Sequence, residues 1–424
     1  MFTEIDRKSK IIFCAAAAIL LIIFLAGGVL WLRKDGKVST SPTDSAIQME
    51  TERQGAPEID LFTDSQNAPE AGNALPLENN PQQESAINSA PPPLLTSPPP
   101  PPPPVSMDRL KKQGCVADGL LTEYNPENYR FIDLINRSNC YYLHRAIETW
   151  LEPPDFEQIW NVMTQITKKD VVYGMFIAEA IDTKAEYYSD DKKERYDFSK
   201  MCRKGSDNIW GEHTCQPAFS SSEYRGYLKY TTRKAIDMGI QSFTFGQIYW
   251  QEGSENKYAQ EIIRDIRAYA KKNGVDIVIG AQTGSITDPK YLQVFDYIEG
   301  GVGINGNGDI ENGPCLSRRG SCWALLWNKA YAANAKNVLL HLDWTGILSD
   351  DLDIFARMSP EKRARTLRNL YGFFTAKNMG FLMPFFGVLD PSNGGCFGPQ
   401  KIYYSPDNAY SCKDEGTINQ ILAQ

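Results

Sequence analysis

Residues 241–281 read QSFTFGQIYWQEGSENKYAQEIIRDIRAYAKKNGVDIVIGA. Gln241 to Ile248 is a short run rich in Phe, Thr and Ile, which is a strand signal. Tyr258 to Lys272 reads as a helix, and Asp276 to Ala281 as a buried parallel strand. Strand, helix and strand in that order form the repeating unit of a parallel α/β sheet.

The unit recurs on both sides. Upstream, Tyr141 to Ile147 and Val171 to Ala178 are strands. Between them Asp155 caps a helix after Pro153 and Pro154, with Phe156, Ile159, Trp160, Met163 and Ile166 on one face. A polar excursion holding Cys202 and Cys215 leads to a helix over Glu223 to Met238. Downstream, Asp288 and Pro289 open a short helix before the strand Tyr297 to Glu299. Residues 321–335 are helical and Asn337 to Asp343 is a strand. Ser359 and Pro360 start a helix whose Leu367, Leu370, Tyr371 and Phe374 face inward. Gly380 follows it, and Phe381 to Val388 is the seventh strand. Lys401 to Tyr404 is the best candidate for an eighth, ahead of a terminal helix near Glu415 to Leu422. Seven clear repeats and a degenerate eighth predict a (β/α)8 TIM barrel. A doubly wound sheet would carry a glycine phosphate fingerprint. Gly301, Gly303, Gly306 and Gly308 follow a strand but lead into a polar loop, so a dinucleotide site is not expected.

The barrel is expected to fill residues 107–424, with three segments ahead of it. From Ile11 to Leu32 no charge interrupts 22 residues rich in Ile, Leu and Ala, enough to span ~30 Å of hydrocarbon as a helix. This predicts a transmembrane signal anchor over 11–32 behind a cytosolic tail, 1–10. Basic residues flank it evenly, so charge does not set its orientation. Residues 35–106 hold 15 of the 26 prolines with few aromatics, and the linker over 33–106 is expected to be disordered. Its run Pro98 to Pro104 should form a polyproline II spacer.

Of the 52 acids and 44 bases, residues 106–424 hold 40 and 37, so the folded part is near neutral. Nucleic acid is therefore not an expected partner, since binding it needs a concentrated basic surface. Cys14 lies in the anchor. The other eight cysteines, Cys115, Cys140, Cys202, Cys215, Cys315, Cys322, Cys396 and Cys412, form an even set beyond it, which points to an oxidising compartment. The connectivity is open, although sequential pairs would each close a short loop. The expected topology is a single-pass protein with a cytosolic amino terminus and an extracellular, periplasmic or lumenal barrel. No CxxC occurs and there are only three histidines, so neither a metal site nor a cofactor is expected.

In such a barrel the chemistry gathers at the carboxyl ends of the strands. There the sequence places Glu148 and Trp150; Glu179 and Asp182; Gln247, Tyr249, Trp250 and Glu252; Gln282; Glu299; His341, Asp343 and Trp344; and Asp390. Paired carboxylates beside aromatic platforms suit glycoside hydrolysis, in which one acid protonates the leaving oxygen and another attacks or activates water. The catalytic candidates are Glu299, Asp343 and Glu179. Trp150, Trp250, Trp344, Tyr249, Gln282, His341 and Glu252 are candidates for substrate binding.

On these residues the chain resembles the broad class of barrel-fold glycoside hydrolases over roughly residues 140–390. The resemblance implies a polysaccharide or glycan substrate. The largest clan of that class carries Glu at the ends of strands four and seven, where this count finds Gln282 and Asp390. The DxxDxDxE signature of chitinase-like barrels does not occur. His144 and Arg145 resemble the strand-borne histidine of phosphodiesterase barrels, without that pattern's further ligands at its spacing. The expected function is a membrane-anchored glycosidase-like enzyme. The alternative is a non-catalytic barrel that binds carbohydrate or protein through the same rim.

Overall fold

The structure, a computed structural model, describes residues 102–122, 130–252, 258–284, 286–310, 334–344, 350–393, 395–396 and 402–424. The predicted tail, anchor and most of the linker lie outside them, as do Cys315, Cys322 and most of the predicted helix over 321–335. Among the described residues no helix is long and apolar enough to cross a membrane.

The core is a curled, parallel-dominated sheet of TIM-barrel-like α/β type. Its strands are β1 (Gly114–Ala117), β2 (Tyr142–Ile147), β3 (Val172–Ile177), β4 (Ser242–Phe245), β5 (Val278–Ala281), β6 (Tyr297–Gly301), β7 (Val338–His341), β8 (Gly380–Phe381) and β9 (Met383–Val388). From β1 to β8 each pairs in parallel with the next. β8 and β9 are one stretch interrupted at Leu382, and β9 pairs in parallel with β1, Cys115 opposite Met383. The last stretch therefore bonds both edges of the sheet and completes a ring of eight staves.

Two expectations are corrected. The stave missing from the sequence count is at the amino end. GCVA, over Gly114–Ala117, is only four residues long and buried throughout, so it shows no alternation to mark it. The candidate eighth strand instead yields Tyr403–Tyr404, which pairs antiparallel with the end of β9 and stands outside the ring. Every strand from Tyr141 onward thus moves up by one position.

The expected helices surround the sheet. Asp155 caps Phe156–Gln165 by accepting from the amides of Glu157 and Gln158. Ser359 caps Pro360–Thr375. The helix Tyr258–Lys272 buries Ile262, Ile263, Ile266 and Ala270, at roughly 1.5–3 kcal/mol for each large apolar side chain.

Inside the ring Tyr297, on β6, reaches across β5. A Cβ on Gly280 would lie 1.9 Å from its ring, so only glycine lets it pass. Its hydroxyl meets Thr244 at 2.7 Å, Ser242 at 3.0 Å and Tyr142 at 3.1 Å. These buried hydroxyls satisfy one another, as a core polar layer must.

Three disulfides join Cys115 to Cys140, Cys202 to Cys215 and Cys396 to Cys412. All are sequential pairs that close short loops, each stabilising by about 3 kcal/mol. Two residues ahead of the predicted barrel boundary also bond to the barrel. The Val105 amide donates to Asp276, and Gln241 donates to the Pro103 carbonyl. Both acceptor and donor side chains precede strands, so the chain enters at the pole opposite the strand ends.

Candidate active site

Alternation along β2 puts Tyr142 and His144 on the interior face, and along β6 it does the same for Tyr297 and Glu299. β2 and β6 are four staves apart, yet Glu299 Oε2 lies 2.6 Å from His144 Nε2 and 3.7 Å from His341 Nε2 on β7. The histidine rings are nearly parallel, 6.0 Å apart, and all three side chains are buried. The Tyr142 hydroxyl contacts His144 Nδ1 at 2.9 Å. His341 Nδ1 faces the Leu342 carbonyl at 3.3 Å. Burial raises the Glu299 carboxyl, but attraction to His144, His341 and Arg145 outweighs it and brings the group to about 2. Burial lowers His341 to about 4 against the pull of Glu299. The ligand atoms of His144, Glu299 and His341 lie within 4.8 Å of one another, a geometry that could hold a metal ion. Folding thus brings together histidines that sequence spacing keeps far apart.

At the rim Glu179 follows β3. Its Oε1 accepts from Gln247 Nε2 at 2.5 Å, and the Gln247 oxygen accepts from the Tyr249 hydroxyl and the Trp250 indole. The Gln247 backbone N–H donates to the Gln282 side-chain oxygen at 3.2 Å. Burial, the largest effect, raises Glu179 to about 7 against the opposing hydrogen bonds. A Cβ on Gly246 would lie 2.4 Å from Glu179 Oε2, so the glycine keeps that oxygen's space open. Gln247 (φ 28°) and Arg145 (φ 57°) hold left-handed backbone, at about 1–3 kcal/mol each, a strain that gathers at functional sites.

Arg145 lies between the rings of Phe176, 3.7 Å away, and Trp344, 4.8 Å away. It pairs with Asp118 at 3.1 Å and with Glu148. Trp344 Nε1 donates to Asp118 at 2.7 Å, and Glu148 also accepts from the amides of Thr149 and Trp150. Asp118 escaped the sequence reading with the strand it follows. The signal was there, an Asp directly after an apolar tetrapeptide, once that tetrapeptide is read as a strand.

Asp343 follows β7 and is partly exposed. Burial and the charges of Asp350 and Asp351 raise it well above the usual carboxyl range. Trp344 is buried, with its edge against His341. Trp150, stacked edgewise on Trp210, and the adjacent Tyr249 and Trp250 are partly exposed. Both oxygens of Glu252 accept from the amides of Tyr258 and Ala259, at the start of the following helix.

With the corrected count, strand four is followed by Gln247 rather than Gln282, and strand seven by Asp343 rather than Asp390. Neither place holds the Glu of the largest barrel hydrolase clan. No family model matches the chain, and no curated protein does. Solved structures similar to it are TIM-barrel glycoside hydrolases. The GH113 β-mannanase from Alicyclobacillus acidocaldarius is 12% identical, with 73% of this chain and 96% of that one covered and a TM-score of 0.39. The α-galactosidase from Thermus thermophilus is 10% identical, with 76% and 67% covered and a TM-score of 0.44. The chain spans only 32% of the GH27 β-L-arabinopyranosidase from Geobacillus stearothermophilus, at 12% identity, 34% coverage of this chain and a TM-score of 0.22.

Proposed function

We propose that the protein is a membrane-anchored, extracytoplasmic glycoside hydrolase-like enzyme that acts on a polysaccharide or glycan through Glu179 and Asp343. The observation that carries this reading is their placement. They follow β3 and β7, four staves apart in a ring of eight, both beyond the carboxyl ends of their strands. Two carboxyl groups flanking a scissile bond are what glycoside hydrolysis needs. Among the described residues neither is ion-paired with Lys or Arg, unlike Asp118 and Glu148. Glu179, at about 7, is poised to exchange a proton near neutral pH. Trp150, Tyr249 and Trp250 offer partly exposed aromatic faces for sugar rings. Glu299 lies a layer lower, against the histidines.

The anchor and location rest on the uncharged run 11–32 and on the paired cysteines, which suit an oxidising compartment. The experiment is a glycan panel incubated with the full chain and with its Glu179→Gln and Asp343→Asn variants, scored by release of reducing ends. Hydrolysis by the wild type alone supports the reading. Equal rates in all three proteins would remove both assignments, and tight glycan binding without hydrolysis would favour the non-catalytic barrel.

A further inference from the structure

The centre of the barrel holds a cluster that the carboxylate pair does not use. His144 Nε2, His341 Nε2 and both oxygens of Glu299 are buried, and none has a hydrogen-bond partner. His144 Nε2 nevertheless approaches Glu299 Oε2 to 2.6 Å, within ion-pair distance. Four converging polar atoms left unsatisfied would be costly, the more so where charged. Native interiors keep few such atoms, and each needs a reason.

The outer nitrogens supply one. His341 Nδ1 faces the Leu342 carbonyl, which can only accept, so that nitrogen carries the proton and Nε2 presents a lone pair to Glu299. His144 Nδ1 meets the Tyr142 hydroxyl, which can accept its proton while Tyr142 bonds onward to Tyr297. In that neutral tautomer both rings aim lone pairs at the carboxylate, whereas protonated rings would attract it as an ion pair. Lone pairs facing an anion repel unless a cation lies between them. A hydrogen-bond partner on the far ring nitrogen is also the usual support of a metal-binding histidine.

We infer that His144, His341 and Glu299 are the protein ligands of a divalent transition-metal ion, held through the two Nε2 atoms and the carboxylate. Two imidazoles with one carboxylate is a donor set that such ions accept with coordination positions left open. With bonds of about 2.0–2.1 Å, tetrahedral ligand atoms stand roughly 3.3 Å apart. The spacings of 2.6 and 3.7 Å to Glu299 Oε2 straddle that value, and all three ligand atoms lie within 4.8 Å of one another. The inference goes beyond the hydrolase reading and does not rest on it, since neither Glu179 nor Asp343 is a ligand.

The test is metal content rather than hydrolysis. The full chain is stripped with a chelator, equilibrated with Zn2+ or Co2+, freed of excess metal and analysed for bound ion. Roughly one ion per chain is expected, with visible Co2+ d–d bands of a low-coordinate site. His144→Ala and His341→Ala should lose it. Should either fail to fold, Tyr142→Phe is the conservative check: it removes the support of His144 Nδ1 and should weaken affinity about 10- to 100-fold without changing the stoichiometry. A wild-type chain that retains no metal would overturn the inference. So would one whose metal content and affinity are the same in all three variants, because the ion would then be bound elsewhere.

Discussion

Gln247 donates its side-chain amide to one oxygen of Glu179 and leaves the other oxygen buried without a partner. The contact has a fixed polarity. Tyr249 and Trp250 both donate to Gln247 Oε1, so the NH2 end must face Glu179. A residue five positions beyond the start of a strand, on strained backbone, thereby sets the orientation of a carboxyl from the neighbouring strand.

Gln247→Leu should raise the Glu179 pKa further above about 7, because the lost hydrogen bond favours the ionised form. Such a charge-assisted bond contributes about 1.5–3 kcal/mol, and one pKa unit corresponds to about 1.4 kcal/mol. An upward shift of about one unit or more is therefore expected in a carboxyl-carbon NMR titration. An unchanged titration would mean that the amide does not hold the carboxylate in solution.

Glu179 also makes stability depend on pH. Its carboxyl is raised from the ordinary 4.5 to about 7, so between these values the native state holds a proton that the unfolded chain has released. The stability linked to this proton is fully present below about 4.5 and is lost as pH rises through about 7. Glu179→Gln has no such proton. Its stability relative to wild type should increase from about pH 5 to about pH 8, by on the order of 2–3 kcal/mol. Denaturant titrations of both proteins at the two pH values would show this, and a constant difference would contradict it.

Gly280→Ala should destabilise the barrel without touching the rim, because the new methyl meets the Tyr297 ring well inside contact distance. Overpacking of this kind costs about 1–3 kcal/mol or more, and moving Tyr297 would also break its bonds to Ser242, Thr244 and Tyr142. The readout is urea unfolding; a loss under about 0.5 kcal/mol would show that Tyr297 does not cross Gly280.

Three disulfides account for six of the nine cysteines, which leaves three. Chain made in an oxidising compartment and denatured without reductant should therefore expose no more than three titratable thiols. Cys115→Ala with Cys140→Ala should lower stability by about 3 kcal/mol through the loop they close. Finding most of the nine thiols free would count against an oxidising location.

Most staves of the barrel were legible because each is a buried apolar run bounded by a helix with recognisable caps, such as Asp155 and Ser359. Gly114–Ala117 was not. Four buried residues carry too little pattern, and their identity as a strand comes from pairing with β2 and β9, which are distant in sequence. That single omission displaced the count and with it the residues assigned to strands four and seven.

The sequence by itself determined the repeating strand and helix, because each unit depends on neighbours a few residues away. Which side chains meet was decided only in three dimensions. Glu299 and His341 come from adjacent strands, but His144 reaches them from across the ring. Likewise Asp118 and Glu148 became partners of Arg145, whereas Glu179 was paired with Gln247. Ring closure sets these distances, and no local spacing records them.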